Sequence, residues 1–235
     1  MVIAPLRDEA LAEDALLLHF GDAIDEATSA RVLAAAAAIA RHLPSLECVP
    51  AYASLLLRFE PAAWRGEAGD TPHARVRAAA AEVLASSDVA HAPSREVVIP
   101  VLYGGTYGPD LDAVSRHAGL GEAEVIARHA AGRYRVAMLG FAPGFPYLLG
   151  LDPRLAVPRR ADPRARVPAG SVAIGGMQTG IYPEALPGGW QLIGRTPLRM
   201  FDMRATPPSR LQPGDRVRFE AIDTARFDEL QGRDA

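Results

Sequence analysis

The chain contains no lysine, and all 25 of its basic residues are arginine. Schiff-base chemistry and the P-loop grip on nucleotide phosphates both need a lysine amine. Both are therefore excluded within this chain. Any phosphate that it holds must contact arginines, backbone amides or a partner protein.

Other features are also scarce. Cys48 is the only cysteine, so no internal disulfide can form, which fits a reducing compartment. No apolar run approaches the length of a membrane span, and the first residues are acidic where a signal peptide would be basic. The net charge of −3 provides no basic field for nucleic acid. We therefore expect a cytoplasmic protein that binds neither nucleic acid nor membrane.

The chain is long enough for two modest domains, which we expect at residues 1–95 and 96–235. The first alternates short strands and helices. Its helices are predicted at 25–43 and 72–84, and its strands at 15–20 and 49–59. Residues 86–94 have the composition of a linker.

The second half is dense in glycine and proline after two early helices, predicted at 108–117 and 121–131. In the first of these, Gly108 is the expected cap and Pro109 the first helical residue. The predicted strands are short and separated by turns: 97–102, 134–139, 171–174, 190–193, 198–201 and 216–221. Such spacing indicates a β-barrel or a β-sandwich.

Four segments contain residues suited to chemistry. Residues 140–147 combine two glycines and two prolines with aromatic rings, including Phe141 and Phe145; a compact packed turn is the competing interpretation. Arginines at 159, 160, 164 and 166 suit carboxylate or phosphate recognition, although most such runs are solvated surface. Gln178 and Tyr182 offer hydrogen bonds to an amide, or tie down a glycine-rich turn. The fourth segment begins at residue 187.

That fourth segment, residues 187–197, ends in Arg195 and Thr196, and Arg195 is the best single candidate for an anion contact or for a structural salt bridge. Ser171 lacks the Gly-x-Ser-x-Gly pattern of a hydrolase nucleophile and is expected to be a turn serine. The histidines show no paired metal-ligand spacing, so no metal site is predicted. The carboxylates of the second half are scattered singly through predicted loops, and their spacing identifies no acid–base pair.

Four long motifs follow one another along the chain: PVLYGGTYGPDLDAVSRHAGL, GFAPGFPYLLGLDPRLAVPRR, RVPAGSVAIGGMQTGIYP and PGGWQLIGRTPLRMFD. Together they resemble the family of 5-oxoprolinase B subunits, also called KipI-like or allophanate hydrolase subunit 1. The resemblance runs from about residue 97 to 219 and is looser before that.

The resemblance implies an α+β protein: a small α+β N-terminal domain followed by a cyclophilin-like β-barrel. It also implies ATP-dependent opening of 5-oxoproline to L-glutamate, together with A and C subunits and with ATP and magnesium as cofactors. The protein alone would be inactive. The candidate catalytic residues are Arg195, Gln178 and Tyr182. The candidate substrate-binding residues are Phe141, Pro143, Gly144, Phe145, Arg166, Ser171 and Thr196.

Two other functions stay open. Some relatives with this layout are described as inhibitors of a sensor histidine kinase, which would make the chain an interaction protein. The same layout also resembles part of urea carboxylase, which works with biotin. Because this chain has no lysine, any biotin would arrive on another protein.

Overall fold

The computed structural model describes residues 3–67, 69–87 and 95–233. Its contacts divide the chain into two compact units, Met1–Ser94 and Arg95–Ala235. Most of the expected linker, residues 88–94, lies outside the described residues. Across the described ranges, no helix is both long enough and apolar enough to cross a membrane.

The first unit packs two helices against a four-stranded antiparallel sheet. The strands are Arg7–Ala12 (β1), Ala15–His19 (β2), Glu47–Pro50 (β3) and Ser54–Arg58 (β4), in the order β1-β2-β4-β3; the helices are Glu26–His42 (α1) and Pro72–Ser86 (α2). Asp25 caps α1 by accepting from the backbone N–H of Thr28 at 2.8 Å. Leucines of β2 and β4 pack with Val32 and Ile39 of α1 and Val76 of α2 in the core.

The single strand predicted over 49–59 is wrong. Two antiparallel strands, β3 and β4, occupy this region, with Pro50 opposite Leu55. The backbone N–H of Ala51 donates to the carbonyl of Ser54 across the turn between them. The apolar run 55–57 pairs with β2 on one side and with β3 on the other. Its apolar residues therefore suggested one buried strand, and the turn before it was missed.

The second unit is a closed barrel with added helices and a separate two-stranded ribbon. Its remaining strands are Glu96–Tyr103 (β5), Tyr134–Leu139 (β6), Pro146–Leu149 (β7), Arg164–Val167 (β8), Ser171–Gly175 (β9), Gln178–Ile181 (β10), Leu186–Gly188 (β11), Gln191–Arg195 (β12) and Arg216–Ala221 (β13); its helices are Leu111–Ala118 (α3), Glu122–Ala131 (α4) and Thr224–Arg233 (α5).

Seven strands close the barrel, in the order β10-β7-β6-β13-β5-β12-β9. The expected α+β class with a barrel is thus confirmed. The pairing of β13 with β5 is parallel, with residue 216 opposite residue 96, whereas β13 pairs with β6 antiparallel. The last strand of the barrel therefore lies between its first two.

The β8–β11 ribbon packs on a second, smaller core. Along β9, Val172 and Ile174 belong to the main cluster, whereas Ala173 points to the opposite face of the strand. There it meets Leu192 of β12 and Val167 of β8. We call β8 and β11 the outer ribbon.

Two further predictions about this unit are wrong. The helix expected at 108–117 begins at Leu111, and Asp110 is its cap residue without a side-chain capping bond. The segment 198–201 forms turns, and only Phe201 makes an isolated bridge, to Ser209. Both segments are held by long-range contacts that local patterns do not reveal.

Candidate functional site

Five aromatic side chains form a pocket of about 250 Å³ in the barrel unit, which we call the aromatic pocket. Phe145 is at its centre, with edge-on contacts to Tyr182 at 5.2 Å and Trp190 at 5.6 Å between ring centroids. The other aromatic residues are Phe141 and Tyr147. The pocket therefore offers flat apolar surfaces, which suit a small planar ring.

Glycines let these rings approach the backbone closely. A Cβ at position 175 would lie 2.7 Å from the Trp190 ring, and one at position 180 would lie 3.1 Å from the Phe145 ring. A Cβ at position 188 would overlap the Tyr182 hydroxyl. The glycine-rich motifs of the sequence are thus explained here by contact with aromatic rings.

The loop between β6 and β7 carries Phe141 in a strained conformation. Its φ is 69°, which is uncommon for a bulky residue, and its side chain is 60% exposed. The loop is closed by bonds from the Gly140 N–H to the Phe145 carbonyl and from the Phe145 N–H to the Ala142 carbonyl. Strain of this kind is found preferentially at functional sites.

One guanidinium and two tyrosine hydroxyls give the aromatic pocket its polarity. Cζ of Arg159 lies 5.7 Å from the centroid of the Trp190 ring. Burial raises the pKa of Tyr182, although a hydrogen bond from the Trp190 backbone opposes that shift. The hydroxyl is therefore protonated at neutral pH, and its proton can be donated to a ligand.

A buried carboxylate anchors the loop that carries Arg159. Asp110 is 5% exposed and forms a bidentate pair with Arg164 of β8, at 2.8 and 2.9 Å. It also accepts from Arg160 at 3.3 Å and from the Leu192 N–H at 2.7 Å. Two of the four predicted arginines are thus structural, and they fix the outer ribbon to β12.

A second pocket, of about 390 Å³, lies where Arg195 ends β12, and we call it the Arg195 pocket. Cζ of Arg195 lies 5.1 Å from the centroid of the Tyr107 ring. Burial lowers the pKa of Arg195. Thr196 and Arg199 also line this pocket.

The structure separates the candidate residues predicted from the sequence. Phe141, Phe145 and Tyr182 line the aromatic pocket, with Pro143 and Gly144 on its loop. Arg195 and Thr196 line the Arg195 pocket. Gln178, at the start of β10, and Arg166, exposed on β8, line neither pocket.

Ser171 is not the turn serine that the sequence predicted. It begins β9, is fully buried, and its Oγ has no hydrogen-bond partner among the described residues. It lies opposite Arg195 in the pairing of β9 with β12. Its position therefore associates it with Arg195 and not with the aromatic pocket.

His129 lies inside the barrel in a satisfied network. Tyr103 donates to its Nδ1 at 2.7 Å, and its Nε2 contacts the Thr179 hydroxyl at 3.0 Å. Because that hydroxyl donates to the carbonyl of Ala173, Nε2 carries the proton. Burial lowers the pKa of His129 to about 3. Within the described ranges, no three His, Cys, Asp or Glu side chains are arranged to hold a metal ion.

Sequence reasoning missed three residues of the aromatic pocket as site residues: Tyr147, Arg159 as a pocket residue, and Trp190. The sequence signal for the pocket was the occurrence of glycines near aromatic residues, because aromatic rings pack closely against glycine in strands. Trp190 stands between Gly189 and β12 in the motif, opposite the strand that ends at Gly175. Only the register of β9 with β12 brings these positions together.

Comparison with known proteins identifies the family. Residues 6–211 match the family described as carboxyltransferase domain, subdomain C and D. The chain is 44% identical to the 5-oxoprolinase B subunit of Bacillus subtilis over 220 residues, which cover 91% of this chain and 92% of that protein. The chain belongs to the family of 5-oxoprolinase B subunits. The family predicted from the four motifs is therefore confirmed.

Two further relatives extend this family assignment. The 5-oxoprolinase B subunit of Escherichia coli O157:H7 is 56% identical over 133 residues, covering 57% of this chain and 61% of that protein. The crystal structure of TTHA0988 matches with a TM-score of 0.76 at 40% identity, covering 89% of this chain. The chain spans 40% of TTHA0988, so that protein has a large part without a counterpart here.

Proposed function

We propose that this chain acts as the B subunit of an ATP-dependent hydrolase that opens 5-oxoproline to L-glutamate. The observation that supports the proposal is the 44% identity to a 5-oxoprolinase B subunit over nearly the whole length of both chains. The complete enzyme would include A and C subunits, and this chain would be inactive alone. We further propose a cytoplasmic location and two functional domains, with their boundary in the sequence near residue 95.

The chemistry requires an activated amide. A lactam carbonyl is a poor electrophile because its carbon–nitrogen bond is resonance-stabilised. Phosphoryl transfer from ATP to the lactam oxygen would create a good leaving group. Water would then add to the ring carbon, and collapse of that adduct with cleavage of the ring C–N bond would give the acyl phosphate of glutamate. A second water would hydrolyse this acyl phosphate to L-glutamate and phosphate, and ADP would remain from the transfer step. ATP with magnesium supplies the phosphoryl group in this scheme.

The aromatic pocket is the proposed place for the 5-oxoproline ring. Its volume of about 250 Å³ accommodates a five-membered ring with one carboxylate, and the exposed ring of Phe141 would pack against one face of it. Arg159, near the Trp190 ring, would face the carboxylate. The Tyr182 hydroxyl would donate to the lactam oxygen and hold the ring in position for phosphoryl transfer.

The other predicted residues enter the proposal differently. Pro143 and Gly144 would shape the loop that presents Phe141. Gly144 has φ 81°, and a Cβ there would lie 2.8 Å from Cβ of Phe201, so this glycine also keeps the loop close to the chain segment after β12. Gln178 and Arg166 line neither pocket, and we give them no role in ring binding.

The test is ATP-dependent release of glutamate from 5-oxoproline, measured with this chain alone, with a C subunit, and with both A and C subunits. We expect turnover only in the complete mixture. Tyr182→Phe should lower kcat/KM at least tenfold, because a hydrogen bond that positions the lactam is lost. The matched control is Tyr134→Phe, which removes a buried hydroxyl that binds the His129 carbonyl away from both pockets.

A second pair of variants tests substrate binding. Arg159→Gln should raise KM for 5-oxoproline about tenfold or more, whereas Arg166→Gln, exposed and outside both pockets, should leave KM unchanged. Complex formation is checked for each variant by size-exclusion chromatography. No glutamate from a correctly assembled mixture would refute the oxoprolinase proposal and would favour the kinase-inhibitor function instead.

A further inference from the structure

The Arg195 pocket contains a cation that the described protein atoms leave incompletely satisfied. Nε of Arg195 is buried and has no hydrogen-bond partner among those atoms. No carboxylate of the described residues forms an ion pair with it, although the exposed Glu184 also lines the pocket. A half-buried arginine without an anionic partner is unfavourable, because its desolvation is not compensated.

A second unsatisfied polar atom lies beside it. Ser171 is directly opposite Arg195 across β9 and β12, so the two side chains project from the same face of the sheet. The Ser171 Oγ is buried without a partner. Ser171 does not line the Arg195 pocket, so a ligand there would contact Arg195 and not Ser171.

The backbone at Gly170 lies very close to Arg195 and Thr196. Gly170 has φ 78°, and a Cβ there would overlap the carbonyl oxygen of Thr196 and lie 3.2 Å from Cγ of Arg195. The Thr196 hydroxyl accepts from the Leu198 N–H at 3.3 Å, and its own proton remains available for donation. A cation–π contact with the Tyr107 ring, 5.1 Å from Cζ to the centroid, helps to hold the guanidinium in place. Arg195 and Thr196 thus lie together in the pocket at the end of β12.

We propose that the Arg195 pocket is an oxyanion-binding site, separate from the aromatic pocket, in which Arg195 binds a phosphate or carboxylate group with help from Thr196. Its volume of about 390 Å³ exceeds that of the aromatic pocket and admits an anionic group that is part of a larger molecule. Arg199 adds positive charge at the same pocket while it pairs with Asp202 at 3.2 Å. The proposal does not depend on which reaction the protein serves.

The experiment is a titration of the full chain with inorganic phosphate, ATP without metal, acetate and 5-oxoproline, at ionic strength held constant with chloride. Binding is followed by calorimetry and by the ¹H–¹⁵N signal of the arginine Nε–H groups. The Arg195 signal is assigned by its loss in Arg195→Lys. Phosphate and ATP represent the phosphoryl source of the oxyanion; acetate and 5-oxoproline represent the carboxylate source.

We expect at least one of these anions to bind and to shift the Arg195 Nε–H signal. Arg195→Gln should weaken that binding at least tenfold, and Thr196→Val about three- to tenfold, whereas Arg166→Gln should leave it unchanged. Binding of 5-oxoproline that survives Arg195→Gln but is lost with Arg159→Gln would belong to the aromatic pocket and would not support this site. The proposal is overturned if no anion shifts the Arg195 signal, or if Arg195→Gln binds every anion as tightly as the wild type.

Discussion

Replacing Asp110 with asparagine should destabilise the barrel unit strongly. In the wild type, the two carboxylate oxygens accept from both guanidinium nitrogens of Arg164, from Arg160 and from the Leu192 N–H. An asparagine at this position would present an NH₂ group in place of one oxygen, so donors would face donors. The charge that compensates the two arginines would also be lost.

The expected magnitude follows from burial. Removing one partner of a buried ion pair costs about 3–5 kcal/mol. Here the carboxylate side chain is 6% exposed, but the side chains of Arg160 and Arg164 are 35% and 24% exposed, so water compensates part of the loss. We therefore expect the free energy of unfolding to fall by roughly 2–3 kcal/mol, which lowers Tm by about 4–12 °C at 2–4 °C per kcal/mol.

The assay is denaturant and thermal unfolding followed by circular dichroism, with Asp112→Asn as the matched control. Asp112 is two positions away and pairs with Arg116 at the surface, so its replacement should cost less than about 0.5 kcal/mol. Adding Arg164→Gln to Asp110→Asn should cost little more, because the pair is already broken. Equal stabilities for Asp110→Asn and Asp112→Asn would refute the account of the outer ribbon.

Three further results are expected. Gly188→Ala should lower kcat/KM of the complete enzyme at least tenfold by displacing the pocket hydroxyl, while Gly189→Ala, whose Cβ would meet only contacts of 3.6 Å or more, should be neutral. Below pH 6.5 the unfolded chain protonates His129 before the folded one does, so stability should fall by up to about 1.4 kcal/mol per pH unit towards pH 3; His129→Gln should remove this component and exposed His117→Gln should keep it. Phe141→Asn should leave the unfolding free energy within about 1 kcal/mol or raise it, because asparagine tolerates positive φ, whereas Phe141→Val should lower it by more than about 1 kcal/mol.

Local signals in the sequence predicted the elements that local interactions determine. The helix α1 has an acidic cap at Asp25, basic residues in its last turn and a proline two residues after it ends. The helix near Asp110 was placed too early, because its cap carboxylate binds arginines 50 and 54 positions away instead of the helix amides. Nothing near Asp110 in the sequence reveals those partners.

The candidate site was predicted residue by residue but not as an arrangement. The sequence singled out Phe145, Tyr182 and Arg195, yet it gave no means of deciding which of them share a pocket. Tyr182 and Arg195 are separated because different segments line their pockets. Pro187 and Gly188 of the outer ribbon line the aromatic pocket, whereas Ala169 and Gly170, in the turn between β8 and β9, line the Arg195 pocket. Strand register and ribbon packing, which depend on distant contacts, make that separation.

The position of β13 between β5 and β6 also constrains the order of events during synthesis. Arg95 and Asp215, which pair at the start of these strands, are 120 positions apart. At 5–20 residues per second, a ribosome needs roughly 6–24 seconds to make that interval. From the synthesis of β6 until β13 is made, β5 and β6 each present an unpaired edge to other nascent chains. A chain truncated before residue 216 would therefore form an open sheet with two unpaired edges, which favours aggregation, and not a smaller barrel.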